Sequence, residues 1–231
     1  KSQFEREWHR ELRALAAAAL LALSAKESTR AALMSGGGPF RLLELAAASD
    51  AAVARCGVAA LRNLSEPEET RAQLLAEPGL LQGLFNLACA DDPDVQRDSL
   101  IALMLLATVT SHRAAFVQLL PALPFAQLCG TCLVEIEHAC ARLLFLVARA
   151  GADVSTTLHE VAGQPLRELL CSEHAVVRTT AAQAAGRLAR HHEAGRVALL
   201  DAGVLHPLLR LLEDDAADEA ARRGAAVAMR G

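Results

Sequence analysis

The sequence predicts an all-helical solenoid built from repeats of three helices. Of the 231 residues, 53% are hydrophobic, and most of these are Ala and Leu, which favour helices. Aromatic residues make up only 3% and Tyr is absent, whereas strands draw on aromatic and β-branched side chains. A succession of short helix, break, Leu-rich helix and long helix recurs along the chain. Its starting points lie about 42, 43, 42 and 39 residues apart, a period typical of helical repeat arrays.

The first helix of each repeat is short and carries a basic residue. An apolar pair follows three or four positions later, a spacing that places these side chains on one helical face. The copies lie in 27–34, 69–75, 112–120 and 194–200, with a weaker copy in 157–162.

A break and a second, Leu-rich helix follow each first helix. The breaks contain Gly or Pro and lie at 36–39, 78–79, 121, 163–165 and 203. Gly adopts the left-handed conformation that ends many helices, and Pro fits the first turn of the next helix. The predicted second helices lie in 40–45, 80–85, 165–170 and 205–212.

The third helix is the longest and begins after polar or acidic residues. These are Asp50, Asp91 with Asp92, Glu173, and Asp214 with Asp215, which can cap free N–H groups and favour the positive end of the helix dipole. Small residues, namely Gly57, Ala60, Ala181 and Ala184, predict close packing between third helices.

The predicted organisation is a single domain over 1–231. It consists of a partial repeat in 1–25, repeats in about 26–67, 68–110, 111–152 and 153–191, and a partial repeat in 192–231. Because the chain has no initiator Met and stops within a repeat, we expect it to be a fragment of a longer protein.

The segment Gly57-Val-Ala-Ala-Leu-Arg-Asn-Leu-Ser65 resembles the armadillo repeat family. That family typically has Ala-x-x-Ala-Leu-x-Asn-Leu here, and Gly57 takes the place of the first Ala. Segment 203–212 resembles the second-helix signature of the family, and the resemblance covers almost the whole chain, most strongly in 26–90 and 173–214. It implies a right-handed superhelical solenoid of armadillo-type repeats that binds other proteins.

In the family that the chain resembles, the third helices line a concave groove. An Asn, with a frequent Trp four residues earlier, grips an extended peptide there. Asn63 matches the Asn, and the equivalent positions hold Ala22, Leu105, Leu146 and Arg187. The Trp position holds Ala59, Ile101, Arg142 and Gln183. The ladder with which importin-alpha binds nuclear-localisation signals is therefore missing, which excludes that role.

Nearly every third helix instead carries an Arg near the centre of the expected groove. The candidate partner-binding residues are Asn63 and the arginines Arg55, Arg97, Arg142, Arg178, Arg187 and Arg223. The planar guanidinium fork suits carboxylates and phosphates, so we expect an acidic or phosphorylated partner segment. The alternative is an ordinary solvated face, since Arg is a good helix former. That alternative predicts that Arg97→Ala changes partner affinity little.

Two clusters of chemically versatile side chains have simpler explanations than catalysis or metal binding. Cys129-Gly-Thr-Cys132 is followed by His138 and Cys140. A redox motif belongs at a helix start after a strand. A zinc site cannot use both His138 and Cys140, which lie about 200° apart around a helix. We therefore interpret the cysteines, including Cys89 and Cys171, as reduced packing residues, and 191–193 as a surface turn. No cofactor, metal or catalytic residue is expected.

Charge and hydropathy indicate an intracellular protein, most simply cytoplasmic, with the nucleus or the cilium as alternatives. The net charge of −4 argues against nucleic-acid binding, and six irregularly spaced cysteines do not form a disulfide framework. Segment 12–25 imitates the apolar part of a signal peptide, but Glu5, Glu7 and Glu11 precede it where positive charge is needed. It is also too short to span a bilayer, so we expect a buried solenoid helix.

The leading functional hypothesis is a non-enzymatic scaffold or adaptor for an extended protein segment, because solenoids usually act through extended surfaces. No nucleic acid, membrane or small-molecule substrate is expected. One alternative is a structural subunit of a large cytoskeletal or ciliary assembly. Another is a module that senses a ligand or a redox state.

Overall fold

The computed structural model describes residues 3–149, 155–191, 193–213 and 219–230, and all regular secondary structure in these residues is helical. The chain divides into two units, residues 1–106 and 107–231. The first unit contains α1 (Gln3–Ser24), α2 (Glu27–Met34), α3 (Gly38–Ala46), α4 (Ala51–Ser65), α5 (Glu68–Ala76), α6 (Leu80–Leu87) and α7 (Pro93–Leu106).

The second unit contains α8 (Arg113–Leu119), α9 (Phe125–Leu128), α10 (Val134–Val147), α11 (Ser155–Leu170), α12 (Ala175–His191), α13 (Glu193–Asp201), α14 (Leu205–Glu213) and α15 (Glu219–Arg230). Short 3₁₀ helices at Thr110–His112 and Leu120–Ala122 flank α8.

In the first unit the predicted third helices pack side by side, with α4 between α1 and α7. The shorter helix α3 packs on α4, and α6 packs on α7. The core is aliphatic with one large aromatic ring, and its fully buried members include Leu42, Leu61, Leu64, Leu84, Phe85 and Leu103. Helices α4 and α7 are therefore each covered by a second helix and by a neighbouring third helix.

The second unit repeats this arrangement with α12 between α10 and α15. Helix α14 packs on α15, and α11 packs on both α12 and α13. Its fully buried side chains include Phe116, Leu120, Leu143, Leu169 and Leu188. Helices α12 and α15 approach closely at Gly186 and Gly224, since a Cβ at Gly186 would lie 2.9 Å from the Gly224 carbonyl oxygen.

The predicted acidic caps are present at two third helices. The Asp50 carboxylate accepts from the N–H groups of Ala52 and Val53 at the start of α4. Asp92 does the same for the N–H groups of Asp94 and Val95 at the start of α7. At the turn before α12 the Ser172 hydroxyl accepts from the N–H of His174, and capping by Glu173 stays a prediction. Asp214 and Asp215 lie outside the described residues.

The basic residue that marks each first helix caps the end of the preceding third helix. Arg30 donates through Nε to the Ser24 carbonyl at 2.9 Å, and Arg71 donates to the Ser65 carbonyl at 2.9 Å. Arg113 and Arg196 repeat the contact on the carbonyls of Ala107 and Ala189. Because helix C-termini expose unpaired carbonyls and carry partial negative charge, a guanidinium there stabilises the junction between repeats.

The predicted break at 163–165 does not exist. Residues 155–170 form one continuous helix, α11, with Pro165 inside it. Gly163 serves close packing, because a Cβ there would lie 2.9 Å from the Ala198 carbonyl oxygen of α13. The prediction for Gly57 is also corrected: it lies against the Ala46 backbone of α3, a second helix. Ala60, Ala181 and Ala184 are fully buried.

Helix α1 confirms a helix over the predicted segment 12–25 but not its burial. Ala17 and Ser24 are buried, whereas Leu12, Leu15 and Leu23 are exposed. Among the described residues, no single helix has the length and apolar character needed to cross a membrane. Two helical segments separated by a bend, Pro93–Leu106 and Thr110–Ala122, are together long and apolar enough to do so, by length and composition only.

Candidate partner-binding surface

The open face of the third helices in the first unit carries arginines that are already paired with acids. Arg55 of α4 lies 2.9 Å from Asp92 and 3.5 Å from Asp94. Arg97 of α7 lies 2.8 Å from Asp94 and 3.2 Å from Asp98. Two of the predicted groove arginines thus meet at one carboxylate, Asp94. Their charge is largely compensated within the unit.

Asp98 is the most buried acid of this network, with only 5% of its surface exposed. Its Oδ1 atom accepts from Arg97 and from Arg62 of α4, each at 3.2 Å. Burial opposes the charge of Arg97, but Asp98 and Asp94 outweigh that effect and raise the pKa of its guanidinium. The three side chains therefore join α4 to α7 through charge-assisted hydrogen bonds.

Asn63, the residue that matches the Asn of the resembled family, lies on the same helix as Arg55. Its Nδ2 atom donates to the Ser24 hydroxyl of α1 at 3.0 Å. Ser24 in turn donates to the Leu21 carbonyl at 2.7 Å. In this structure the Asn63 amide thus helps to join α1 and α4, and the half-buried side chain leaves only part of its hydrogen-bonding capacity for a partner.

In the second unit the structure brings together Arg142 of α10 and Arg187 of α12. Both guanidinium groups lie over the ring of Phe145, the Arg142 carbon at 4.7 Å and the Arg187 carbon at 3.4 Å from the ring centroid. Arg187 also donates to the Phe145 carbonyl at 3.2 Å. Both contacts have cation–π geometry, so the Phe145 ring positions the two guanidinium groups on this face.

Ion pairs among the described residues do not neutralise the arginines around Phe145. Within the described part of the chain, none of Arg113, Arg142, Arg149 and Arg187 forms an ion pair. Burial together with the charges of Arg149, Arg142 and Arg113 lowers the pKa of Arg187 to about 10. Burial and Arg142 also lower the pKa of His138, which favours its neutral form. This is a site where positive charge accumulates.

A cleft of about 570 Å³ opens beside this cluster, between α10, α12 and α15. Its walls include Phe145, Gln183, Arg187, Arg190, Arg223 and one acid, Glu219, which pairs with Arg223. We missed Phe145 at the sequence level because the family register points to Leu146, which is buried. The signal was available: Phe145 follows Arg142 by three residues, the spacing of neighbours on one helical face.

The two remaining predicted site residues have local partners. Arg178 donates to the carbonyls of Ser172 and Glu173, both at 2.9 Å, and so holds the turn before α12. Arg223 of α15 pairs with Glu219 one turn earlier on the same helix. Arg178 thus serves a turn, whereas Arg223 lies in the wall of the cleft beside Phe145 with its charge already paired.

The Cys129–Cys132 motif does not form a convergent pair. Cys129 is buried, whereas Cys132 is exposed and has a φ of +55°. The hydrogen bond to Cys140 and burial raise the pKa of the Cys129 thiol well above its ordinary value, so it stays protonated and unreactive. The prediction of packing cysteines holds for Cys129 and Cys140 but is wrong for Cys132, Cys89 and Cys171, which are exposed.

The described residues contain no group of three or more His, Cys, Asp or Glu side chains that could hold a metal ion. Of the turn predicted at 191–193, His192 lies outside these residues. The candidate site consists of Phe145 and the arginines described above.

No protein-family model and no curated protein matches the chain. Among solved structures, an engineered protein superimposes with a TM-score of 0.79 at 23% identity, covering 95% of this chain and 91% of that one. Computationally designed armadillo repeat proteins for modular peptide recognition superimpose with a TM-score of 0.81 at 20% identity, covering 99% and 94%. The chain has the armadillo-repeat fold.

A further similar structure is a designed armadillo repeat protein in complex with the peptide (KR)4. It has a TM-score of 0.76 and 20% identity, and the alignment covers 100% of this chain and 95% of that one. These likenesses confirm the predicted all-α solenoid of armadillo type. Within each unit, the row of stacked third helices is the element that carries the arginines described above.

Proposed function

We propose that this chain is a non-enzymatic scaffold that binds an extended segment of another protein along the exposed face of its third helices. The segment is acidic or phosphorylated, and the protein acts as an adaptor in the cytoplasm. The observation that carries the proposal is the accumulation of uncompensated arginines around Phe145 in the second unit.

Electrostatics supports an acidic rather than a basic partner. Arg142, Arg149 and Arg187 repel one another, and a negative side chain placed among them removes that repulsion. A Lys/Arg peptide like the one bound to a similar designed armadillo protein would add positive charge to the same face. The fold is therefore shared with those proteins, while the charge of the proposed site favours the opposite kind of peptide.

The experiment measures fluorescence polarisation with two labelled octapeptides, (DE)4 and (KR)4, on the whole chain. We expect (DE)4 to bind and (KR)4 not to bind, with affinity falling as salt rises because exposed charges are screened. Changing Arg142 and Arg187 to Glu should abolish binding of (DE)4. The matched control changes Arg55 and Arg97 to Glu in the first unit, and its effect should be smaller because these arginines already face acids.

Circular dichroism must show that each variant keeps its helix content. Equal affinity for (DE)4 in the wild type and in the Arg142/Arg187 variant would contradict the proposal, as would tighter binding of (KR)4.

A second candidate function is a structural subunit of a larger assembly. Helix α1 favours it, because Trp8, Leu12, Leu15 and Leu23 expose between 41% and 68% of their surfaces. Exposed apolar side chains of this kind mark contact surfaces. Stable co-purification with a partner that survives the Arg142/Arg187 change but not exchange of Trp8 and Leu15 for Ser would favour this function.

A further inference from the structure

The cluster around Phe145 has a geometry that suits one class of anion better than others. Arg142 and Phe145 lie three residues apart on one face of α10, and Arg149 follows two residues beyond the end of that helix, where its charge helps to lower the pKa of Arg187. Arg187 of α12 reaches the same ring from the neighbouring helix. Guanidinium groups from two helices thus surround one half-buried aromatic ring.

The number of unpaired charges distinguishes a phosphate from a carboxylate. A carboxylate offers two oxygens and one negative charge, which a single Arg can satisfy in a bidentate pair. A phosphate monoester carries about −1.5 to −2 charges at pH 7 and three acceptor oxygens. Several arginines without an acid partner can therefore bind a phosphate with separate donors, whereas a lone carboxylate leaves most of their repulsion in place.

The first unit provides the internal comparison. Arg55, Arg62 and Arg97 lie at corresponding third-helix faces, but Asp92, Asp94 and Asp98 accept their hydrogen bonds. A phosphate placed there would meet carboxylates as well as guanidinium groups and would be repelled by them. In the described part of the second unit, by contrast, Arg142 and Arg187 lie over Phe145 without an ion pair, and the acid of the adjoining cleft, Glu219, pairs with Arg223 instead.

We propose that Arg142 and Arg187, held over the ring of Phe145, together with the nearby Arg149, bind the phosphate group of a phosphorylated Ser, Thr or Tyr in the partner segment. This inference rests on the proposed function and specifies its partner. The ring of Phe145 orients the guanidinium of Arg187, and the Phe145 carbonyl fixes one of its donors. The outward donors of Arg142 and Arg149 complete the set, and the adjoining cleft accommodates the flanking residues of the segment.

The test uses labelled degenerate peptide pools with a fixed central residue: phosphoserine, phosphothreonine, phosphotyrosine, Ser or Glu. Polarisation is measured on the whole chain at one salt concentration. We expect at least one phosphorylated pool to bind about 10-fold more tightly than the Glu pool, because a phosphate brings more negative charge and one more acceptor oxygen than a carboxylate.

The informative variant is R142Q/R149Q, because neither side chain hydrogen-bonds to the backbone of another helix among the described residues and the Arg187–Phe145 contact stays intact. It should lose the preference for phosphate. R187Q should lose it too, although it also removes the hydrogen bond to Phe145. R55Q is the matched control from the first unit, and it should keep the preference. Far-ultraviolet circular dichroism and thermal melting confirm that each variant is folded.

The outcomes separate this inference from the proposed function. If the Glu pool binds as tightly as the phosphorylated pools and R142Q/R149Q weakens both, the phosphate inference is wrong and acidic-segment binding stands. If no pool binds more tightly than the Ser pool, both fail. A labelled single-stranded oligouridylate that binds more tightly than any phosphorylated pool, through the same arginines, would overturn the inference in favour of a nucleic acid.

Discussion

The guanidinium carbon of Arg187 lies 3.4 Å from the centroid of the Phe145 ring, and its Nη1 atom donates to the carbonyl of the same residue at 3.2 Å. One side chain of α12 thus contacts both the ring and the backbone of a single residue in α10. The contact joins two neighbouring third helices and at the same time holds a positive charge at their open face. Packing and electrostatics are coupled at this position.

Replacing Phe145 with Leu removes the ring but keeps an apolar side chain and the backbone carbonyl. We expect the free energy of unfolding to fall by about 1 kcal/mol, because a cation–π contact contributes about 0.5–2 kcal/mol depending on its desolvation. Urea denaturation measures the change. The matched control is F40L in α3, where the ring is 47% exposed and the effect should be near zero.

A double-mutant cycle with F145L and R187Q isolates this coupling. A coupling energy indistinguishable from zero would show that the two side chains are neighbours without a stabilising interaction.

Asp98 should be the acid whose charge matters most for the stability of the first unit. D98N leaves Arg62 and Arg97 without their shared carboxylate, at a position where only 5% of the residue is exposed. Removing one partner of a buried ion pair typically costs 3–5 kcal/mol. Because both arginines are about one-third exposed, solvent screening reduces this to an expected loss of about 1–3 kcal/mol.

D94N provides the comparison in the same network, since the Asp94 side chain is 43% exposed and its pairs should contribute less than about 1 kcal/mol. Chemical denaturation of both variants checks the order. A larger loss for D94N than for D98N would contradict the role assigned to burial.

Asp92 should make stability depend on pH in the acid range. Burial opposes ionisation of this carboxyl, but the N–H of Val95 and the Arg55 guanidinium outweigh it and lower its pKa. The stabilisation is therefore fully present above the unfolded-state pKa of about 3.9 and is lost as pH falls through the lower folded-state pKa. Below about pH 4, wild type should lose stability with falling pH more steeply than D92N.

At pH 7, D92A should cost about 1 kcal/mol because the cap of α7 is lost, while D92N should cost less because Asn also caps helices well. Urea denaturation from pH 2.5 to 7 covers both comparisons. If wild type and D92N lose stability equally as pH falls, Asp92 is not the source of the pH dependence in the acid range.

Local sequence was sufficient to predict the helices, their order and most of their ends. Ala and Leu content, the Gly and Pro breaks, and the acidic residues Asp50 and Asp92 act through the backbone within a few positions, so their effects do not depend on distant contacts. The prediction failed at 163–165, where Gly163 meets the Ala198 carbonyl of another helix. A tertiary contact thus determined that Gly163, which the sequence predicts to interrupt the helix, instead packs against a neighbouring helix.

The sequence predicts arginines on successive third helices, but it does not show which guanidinium groups are paired with acids. Arg55 and Arg142 look alike as residues on a third helix, yet the first faces Asp92 and the second lies over Phe145. Composition and periodicity determined the all-helical repeat fold and the presence of basic side chains on its third helices. Only the tertiary structure decided where their charge is neutralised and where it accumulates, because Coulomb energy depends on distances between side chains from different helices.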